Sequence, residues 1–128
     1  MKQLSPDRMA APLGAYSQGV EVPPGARWLV VSGQVGVDTQ GAIADGIEAQ
    51  SEWVWRNLTT CLEEAGMGVG DIVKVTTYLL DPSELPAYGG VRSRYLGDHR
   101  PASTLVYVSA LVKPELRVEV EVLAARAD

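Results

Sequence analysis

The sequence predicts an α+β domain with two helices packed on one face of a mixed β-sheet, in the order β-β-β-α-β-α-β-β. Three patterns carry this prediction. Apolar residues recur at helical spacing between 47 and 65, a β-branched stretch alternates from 72 to 80, and two further alternating stretches follow after 103. No repeat or linker divides residues 1–128, so a single domain is predicted.

Turn residues separate the first strands. The segment Glu21–Arg27 contains two prolines and a glycine, which favours a turn because proline fixes φ and glycine admits positive φ. The apolar run Trp28–Ser32 then predicts a short strand, and Asp38–Gly41 predicts a second turn.

The first helix has a predicted start, an apolar face and a predicted end. Asp45 can accept hydrogen bonds from free backbone N–H groups, and Glu48 follows three residues later, as in a capping box. Gly66 is a natural end. The apolar stripe consists of Ile47, Val54, Leu58, Cys61, Leu62 and Ala65. Cys61 is therefore expected to be a buried structural thiol and not a nucleophile.

The stretch Ile72–Leu80 predicts a strand that ends at Asp81-Pro82. The residues expected to share one face of this strand are Val73, Val75, Thr77 and Leu79. Ser83 to Leu96 predicts the second helix, although two internal glycines destabilise it by about 1 kcal/mol each relative to alanine.

Two strands close the domain, at about Thr104–Leu111 and Arg117–Ala125. With both helices on one face, the other face of the sheet is left partly apolar. Burial of that face against further copies of the chain would explain a homo-oligomer.

Composition excludes several classes of protein. The net charge of −5, with no basic cluster, disfavours a nucleic-acid partner. No apolar run reaches the length of a membrane span, and Met1–Pro6 lacks the apolar core of a signal peptide. One cysteine cannot form an internal disulfide, which fits a cytoplasmic location. No Cys/His spacing or Gly-rich phosphate loop occurs, so we expect no metal and no cofactor.

Six segments, in order over nearly the whole chain, resemble the RidA (YjgF) family. They are 11–18 (APLGAYSQ), 29–35 (LVVSGQV), 47–50 (IEAQ) with Asn57-Leu58, 71–79 (DIVKVTTYL), 100–108 (RPASTLVYV) and 118–124 (VEVEVLA). The resemblance implies the family's chorismate-mutase-like fold and its homotrimer, with small-molecule clefts between subunits. It also implies hydrolysis of reactive imines or enamines without a cofactor.

The chain departs from the family at the position of the substrate clamp. In the active members an arginine grips the carboxylate of the imino acid, and this chain has Ser103 there. Serine cannot form the two parallel charge-assisted hydrogen bonds that a guanidinium forms. Gly89 replaces an asparagine, and Leu105 stands where several members carry a cysteine. The resemblance therefore implies a subgroup that lacks the carboxylate-binding arginine.

The resemblance also implies a set of site residues. Glu119 would position a water for attack on the imine carbon, with Glu121 on the same face of the strand as an exposed polar residue. Tyr16 and the Ser32-Gly33 backbone would orient the substrate, since glycine lets a ligand approach the main chain. Gly89 and Ser103 complete the substrate-binding set. The structural alternatives are a half-buried tyrosine, a bulge at Gly33 and an ordinary strand entry at Ser103.

Other polar residues are expected to be structural. We interpret Arg92, Arg94 and Arg100 as solvated surface residues, although any of them could in principle replace the missing clamp. His99 is the only histidine, and no triad pattern accompanies it.

Three functional hypotheses are compatible with the sequence. The first is hydrolysis of an enamine or imine other than the usual 2-imino acids. The second is a trimer that binds or senses a small molecule without turnover. The third is RNA cleavage, an activity that some relatives carry as a label and that the charge disfavours.

Overall fold

The predicted order of elements is observed in a computed structural model that describes all 128 residues. The strands are β1 (Lys2–Leu4), β2 (Gly19–Glu21), β3 (Arg27–Val35), β4 (Ile72–Leu79), β5 (Ala102–Tyr107) and β6 (Val118–Arg126). The helices are α1 (Ile47–Glu64) and α2 (Leu85–Leu96), and short 3-10 turns at Val69–Asp71 and Pro82–Glu84 precede β4 and α2. Neither helix combines the length and apolarity needed to cross a bilayer.

The sheet is mixed, as predicted. Four strands pair in the order β3-β6-β4-β5, and only β4 and β5 run parallel. The strands β1 and β2 form a separate antiparallel ribbon. Both helices pack on the same face of the four-stranded sheet, which confirms the predicted α+β architecture.

The core lies between the two helices and this face. From α1, Trp55, Leu58 and Leu62 are fully buried, and Tyr88 of α2 meets them from the other side. The rings of Trp55 and Tyr95 stack with centroids 5.9 Å apart, which joins the helices. The predicted stripe of α1 is thus the face that builds the core.

For α1, the predicted N-terminal cap was wrong and the predicted C-terminal end is confirmed. The first helical hydrogen bond runs from the Gln50 N–H to the Gly46 carbonyl at 3.0 Å, so Gly46 (φ 88°) is the N-cap. Asp45 lies one position outside the helix, and no side chain caps this end. At the other end Gly66 adopts φ 70°, and its N–H bonds to the Glu63 carbonyl at 2.9 Å, which closes the helix as predicted.

Strand positions differ from the prediction by one or a few residues. A bulge between Ile72 and Lys74 places Ile72, and not Val73, in the core cluster. The strand β5 ends at Tyr107 and not at Leu111, because its pairing with β4 ends there and the chain then turns into a loop.

The second face of the sheet is open. Buried Val118, Val120 and Val122 point to the helices, so Glu119 and Glu121 between them point away, by the alternation of a strand. Trp28 and Val30 of β3 are exposed to 53% and 75%. This side of the sheet, called the open face below, is therefore partly apolar, as the sequence predicted.

Candidate functional site

A cleft of about 620 Å³ lies at the β5 edge of the sheet, beside α2. Three of the predicted site residues, Tyr16, Gly89 and Ser103, line it. They come from the loop before β2, from α2 and from β5, so the fold brings together residues that are far apart in sequence. The volume is within the range of small-molecule sites.

Ser17 fixes the opening loop against β5. This buried residue bridges Ala102 in parallel fashion, and its N–H donates to the Pro101 carbonyl at 3.1 Å. The neighbouring Tyr16 therefore lies at the level of Ser103. The Tyr16 hydroxyl accepts a hydrogen bond from the Leu13 N–H at 3.1 Å, which restrains the tip of the ring.

The floor of the cleft is made by β4 and α2. Ser103 and Leu105 pair with Val75 and Thr77, whose side chains face the core, so they lie on the helix side of the sheet. The buried Thr77 hydroxyl and the Tyr88 hydroxyl are 2.9 Å apart. Burial raises the pKa of Tyr88, which keeps it a neutral phenol near pH 7.

Arg92 is the one charged residue that lines the cleft, and it is not the solvated surface residue that was expected. It is half-buried, and its Nη1 donates to the Ala15 carbonyl at 3.3 Å. Burial lowers the pKa of Arg92, and the positive charge of Arg100 lowers it further. No carboxylate lies within salt-bridge distance of this guanidinium.

The two other candidate arginines are engaged elsewhere. Arg94 forms an ion pair with Glu52 at 2.8 Å. Arg100 Nη1 donates to the Gly97 carbonyl at 2.8 Å and does not line the cleft. Only Arg92 therefore has its charge available inside the cleft.

The remaining predicted residues, Ser32, Gly33 and Glu119, form a second group on β3 and β6. A bulge at Ser32-Gly33 interrupts the pairing of these strands. A Cβ added to Gly33 would collide with the Glu119 carboxylate, so any larger residue at 33 would require the Glu119 side chain to move. Because Glu119 points to the open face, this group lies on the opposite side of the sheet from Ser103.

The two glutamates of the open face differ in their partners. The Glu121 carboxylate accepts a 2.7 Å hydrogen bond from the Tyr78 hydroxyl, and this bond raises the pKa of Tyr78. No side chain or backbone N–H donates to the Glu119 carboxylate. Glu119 is thus the carboxylate with free acceptor positions for a water.

The other singled-out residues have structural surroundings. His99 Nε2 lies 2.7 Å from the Ile72 carbonyl, so the ring holds the loop before β5 against β4. Cys61 packs against the core but is only partly buried. No group of three or more His, Cys, Asp or Glu side chains is arranged to hold a metal ion.

Similarity to known proteins agrees with this fold. Residues 7–126 match the family model described as Endoribonuclease L-PSP. The crystal structure of a Rid protein from Yersinia pestis, described as of unknown function, superposes with a TM-score of 0.84 at 30% identity, over 98% of each chain. The chain belongs to the Rid family.

Curated Rid relatives span the same length. A RutC family protein of Pyrococcus abyssi is 38% identical over 92% of this chain and 91% of its own. A 2-iminobutanoate/2-iminopropanoate deaminase of Salmonella typhimurium is 31% identical over 98% of both chains. Imine deamination is therefore an activity present among the Rid relatives of this chain.

All six residues of the two groups were predicted from the sequence, whereas Arg92 was interpreted as a surface residue and only as one of three possible replacements for the clamp. A signal for it existed in the sequence. Gly89 and Arg92 are three residues apart in a predicted helix, so they share a face. Because Gly89 was assigned to the site, Arg92 could have been assigned to it by the same helical spacing.

Proposed function

We propose that this Rid protein binds a small compound with a C=N bond in clefts between copies of the chain and hydrolyses it. Water adds to the carbon of the C=NH group and forms the C–O bond, both protons of the water pass to the nitrogen, and the C–N bond breaks so that ammonia leaves. A carbonyl compound remains, and no oxidant or cofactor is required.

The observation that carries this proposal is the division of the site residues into two groups on opposite faces of one sheet. Tyr16, Gly89 and Ser103 line a cleft in which no side chain can act as a general base at neutral pH. The Glu119 carboxylate accepts no hydrogen bond within the chain and does not line this cleft. A neighbouring copy that places its open face near this cleft would supply the missing carboxylate, and a homotrimer with clefts between subunits provides such a contact.

The substrate differs from the usual 2-imino acids in this proposal. Ser103 offers one small hydroxyl where a guanidinium would fix a carboxylate at the strand. A substrate whose binding depends on that contact loses two charge-assisted hydrogen bonds, worth roughly 1.5–3 kcal/mol each. The preferred compound must therefore be held by other groups of the cleft.

A second candidate function is small-molecule binding without turnover. The absence of a carboxylate, histidine or cysteine from the cleft of one chain favours it. Cleavage of RNA is not favoured, since a single arginine is the only cation that the cleft presents to phosphates.

A panel of freshly generated imines separates the two functions. Ammonia release is measured for neutral, aromatic and carboxylate-bearing imines, and equilibrium binding of the carbonyl products is measured beside it. The deaminase proposal expects release well above the spontaneous rate for at least one class. Tight binding of a product with only spontaneous release across the panel would instead establish the binding protein.

The assembly itself gives a prediction for the open face. Val30 is 75% exposed in the single chain, so we expect Val30→Asp to leave the fold intact and to separate the copies, because a buried unpaired carboxylate is costly. Sedimentation should then move from about three times the 13.7 kDa chain mass to one. Val112→Asp is the control, since Val112 is 83% exposed in a loop. A single-chain mass for the unmodified protein would contradict the assembly.

A further inference from the structure

The cleft contains a positive charge without a counter-ion. Arg92 is its only charged side chain, is half-buried and has no carboxylate within 4.0 Å. A guanidinium remains charged in proteins even when water is partly excluded from it. Partial burial removes water from the guanidinium without supplying a charged partner, and a bound anion would compensate for the lost solvation.

The guanidinium also has unused donors. Arginine carries five N–H groups, and one nitrogen of Arg92 donates to a protein acceptor, the Ala15 carbonyl. This contact holds the side chain at the wall of the cleft and leaves further donors free. The hydroxyls of Ser93 and Ser103 line the same cleft and make no side-chain hydrogen bond to protein groups.

Two small residues leave room around this charge. Gly89 lies one helical turn before Arg92 on the same face, and no heavy atom lies within 4 Å of the position where its Cβ would be. Ser103 faces the cleft from β5 with a side chain of only two heavy atoms. Both positions therefore leave open space in the cleft that Arg92 lines.

We propose that Arg92 is the anion-binding residue of this cleft and that the ligand is a monocarboxylate with an apolar side chain. The cation that holds the ligand is thus on helix α2 instead of strand β5. This inference rests on the proposed function only in taking the cleft as the ligand site.

The composition of the cleft supports one carboxylate over a phosphate. A single guanidinium balances one negative charge, and a phosphate dianion would leave charge unpaired in a half-buried site. The other walls include Leu13, Leu85 and Leu105, which favour an apolar group. A volume of about 620 Å³ also exceeds the needs of a three- or four-carbon acid.

Equilibrium binding tests the inference without requiring turnover. The probes are 4-methylpentanoate and its neutral amide, with inorganic phosphate as a third ligand, measured by calorimetry. We expect the carboxylate to bind about ten- to hundred-fold more tightly than the amide, because hydrogen bonds to a charged group are stronger than those to a neutral group. Arg92→Met should remove this preference, and Arg92→Lys should retain part of it because the charge remains.

The matched control is Arg94→Met, since Arg94 lies on the same helix but pairs with Glu52 outside the cleft. It should leave the preference unchanged. The inference is overturned if the unmodified protein does not prefer the carboxylate to the amide, if it prefers phosphate, or if a folded Arg92→Met keeps the preference. Arg92-dependent binding with no imine turnover would refute only the deaminase proposal, whereas turnover with Arg92-independent binding would refute only this inference.

Discussion

Replacement of Glu119 by glutamine is expected to lower imine hydrolysis by about 10²–10⁴-fold, the usual contribution of a positioned general base. Glutamine keeps the shape of the side chain and its contact with Gly33, but it cannot accept a proton from the attacking water. The free acceptor positions of Glu119 make it the carboxylate suited to this role. Ammonia release from the best imine of the panel measures the loss.

Glu121→Gln is the matched control, on the same strand and the same face. A glutamine oxygen can still accept the Tyr78 hydroxyl bond that the Glu121 carboxylate accepts at 2.7 Å, so the open face keeps its structure. We expect its rate to stay within a few-fold of the unmodified protein. Equal losses in the two variants would point to a shared structural role, and an unchanged rate in Glu119→Gln would remove Glu119 from the mechanism.

The fold was predictable because its periodic patterns are strong. The apolar stripe of α1 contains the buried Val54, Leu58 and Leu62, and alternation in β6 separates Val120 from Glu119. Errors arose where a single residue decided the geometry. Asp45 was one position too early to cap α1, because Gly46 supplies the carbonyl of the first helical bond. A bulge between Ile72 and Lys74 leaves both Ile72 and Val73 buried but only Ile72 in the core cluster, and periodicity alone cannot locate such a shift.

The site was only partly predictable, since a cleft depends on tertiary contacts. The motif positions of Tyr16, Gly89 and Ser103 do meet in one place. That Glu119 lies on the other face follows from strand alternation, but the proposal that a neighbouring copy supplies it depends on the location of both groups. The helical spacing of Gly89 and Arg92 places them on one face of α2, but that this face lines the cleft beside β5 depends on tertiary packing.

The location of Arg92 in the cleft changes the interpretation of Ser103. On the sequence alone, Ser103 marks the loss of a cation from the site. In the structure, Ser103, Gly89 and Arg92 line the same cleft, and a Cβ at Gly89 would point into open space. The one positive charge of the cleft, Arg92, is therefore on α2 and not on β5. A ligand held from α2 has its reactive carbon in a different place from one held at β5.

Ser103→Arg is expected to create or strongly raise deamination of small imino acids such as 2-iminopropanoate. Ser103 is on the helix side of the sheet in register with Val75, so an arginine there would reach into the cleft. Two charge-assisted hydrogen bonds to a carboxylate correspond to about 10²–10⁴-fold in binding. Release of 2-oxo acid from freshly generated substrate measures the gain.

The positive charge of Arg92 in the same cleft leads to further expected results for this variant. A second guanidinium beside Arg92 is repelled when no anion is bound, so Ser103→Arg should also lower the thermal midpoint. The double variant Ser103→Arg with Arg92→Met should keep the gain with small imino acids and recover the stability. Ser103→Lys should gain less, because an ammonium lacks the planar fork of donors that matches a carboxylate. No gain in a folded, assembled Ser103→Arg protein would mean that Gly89 or the surrounding loops have also changed the chemistry of the cleft.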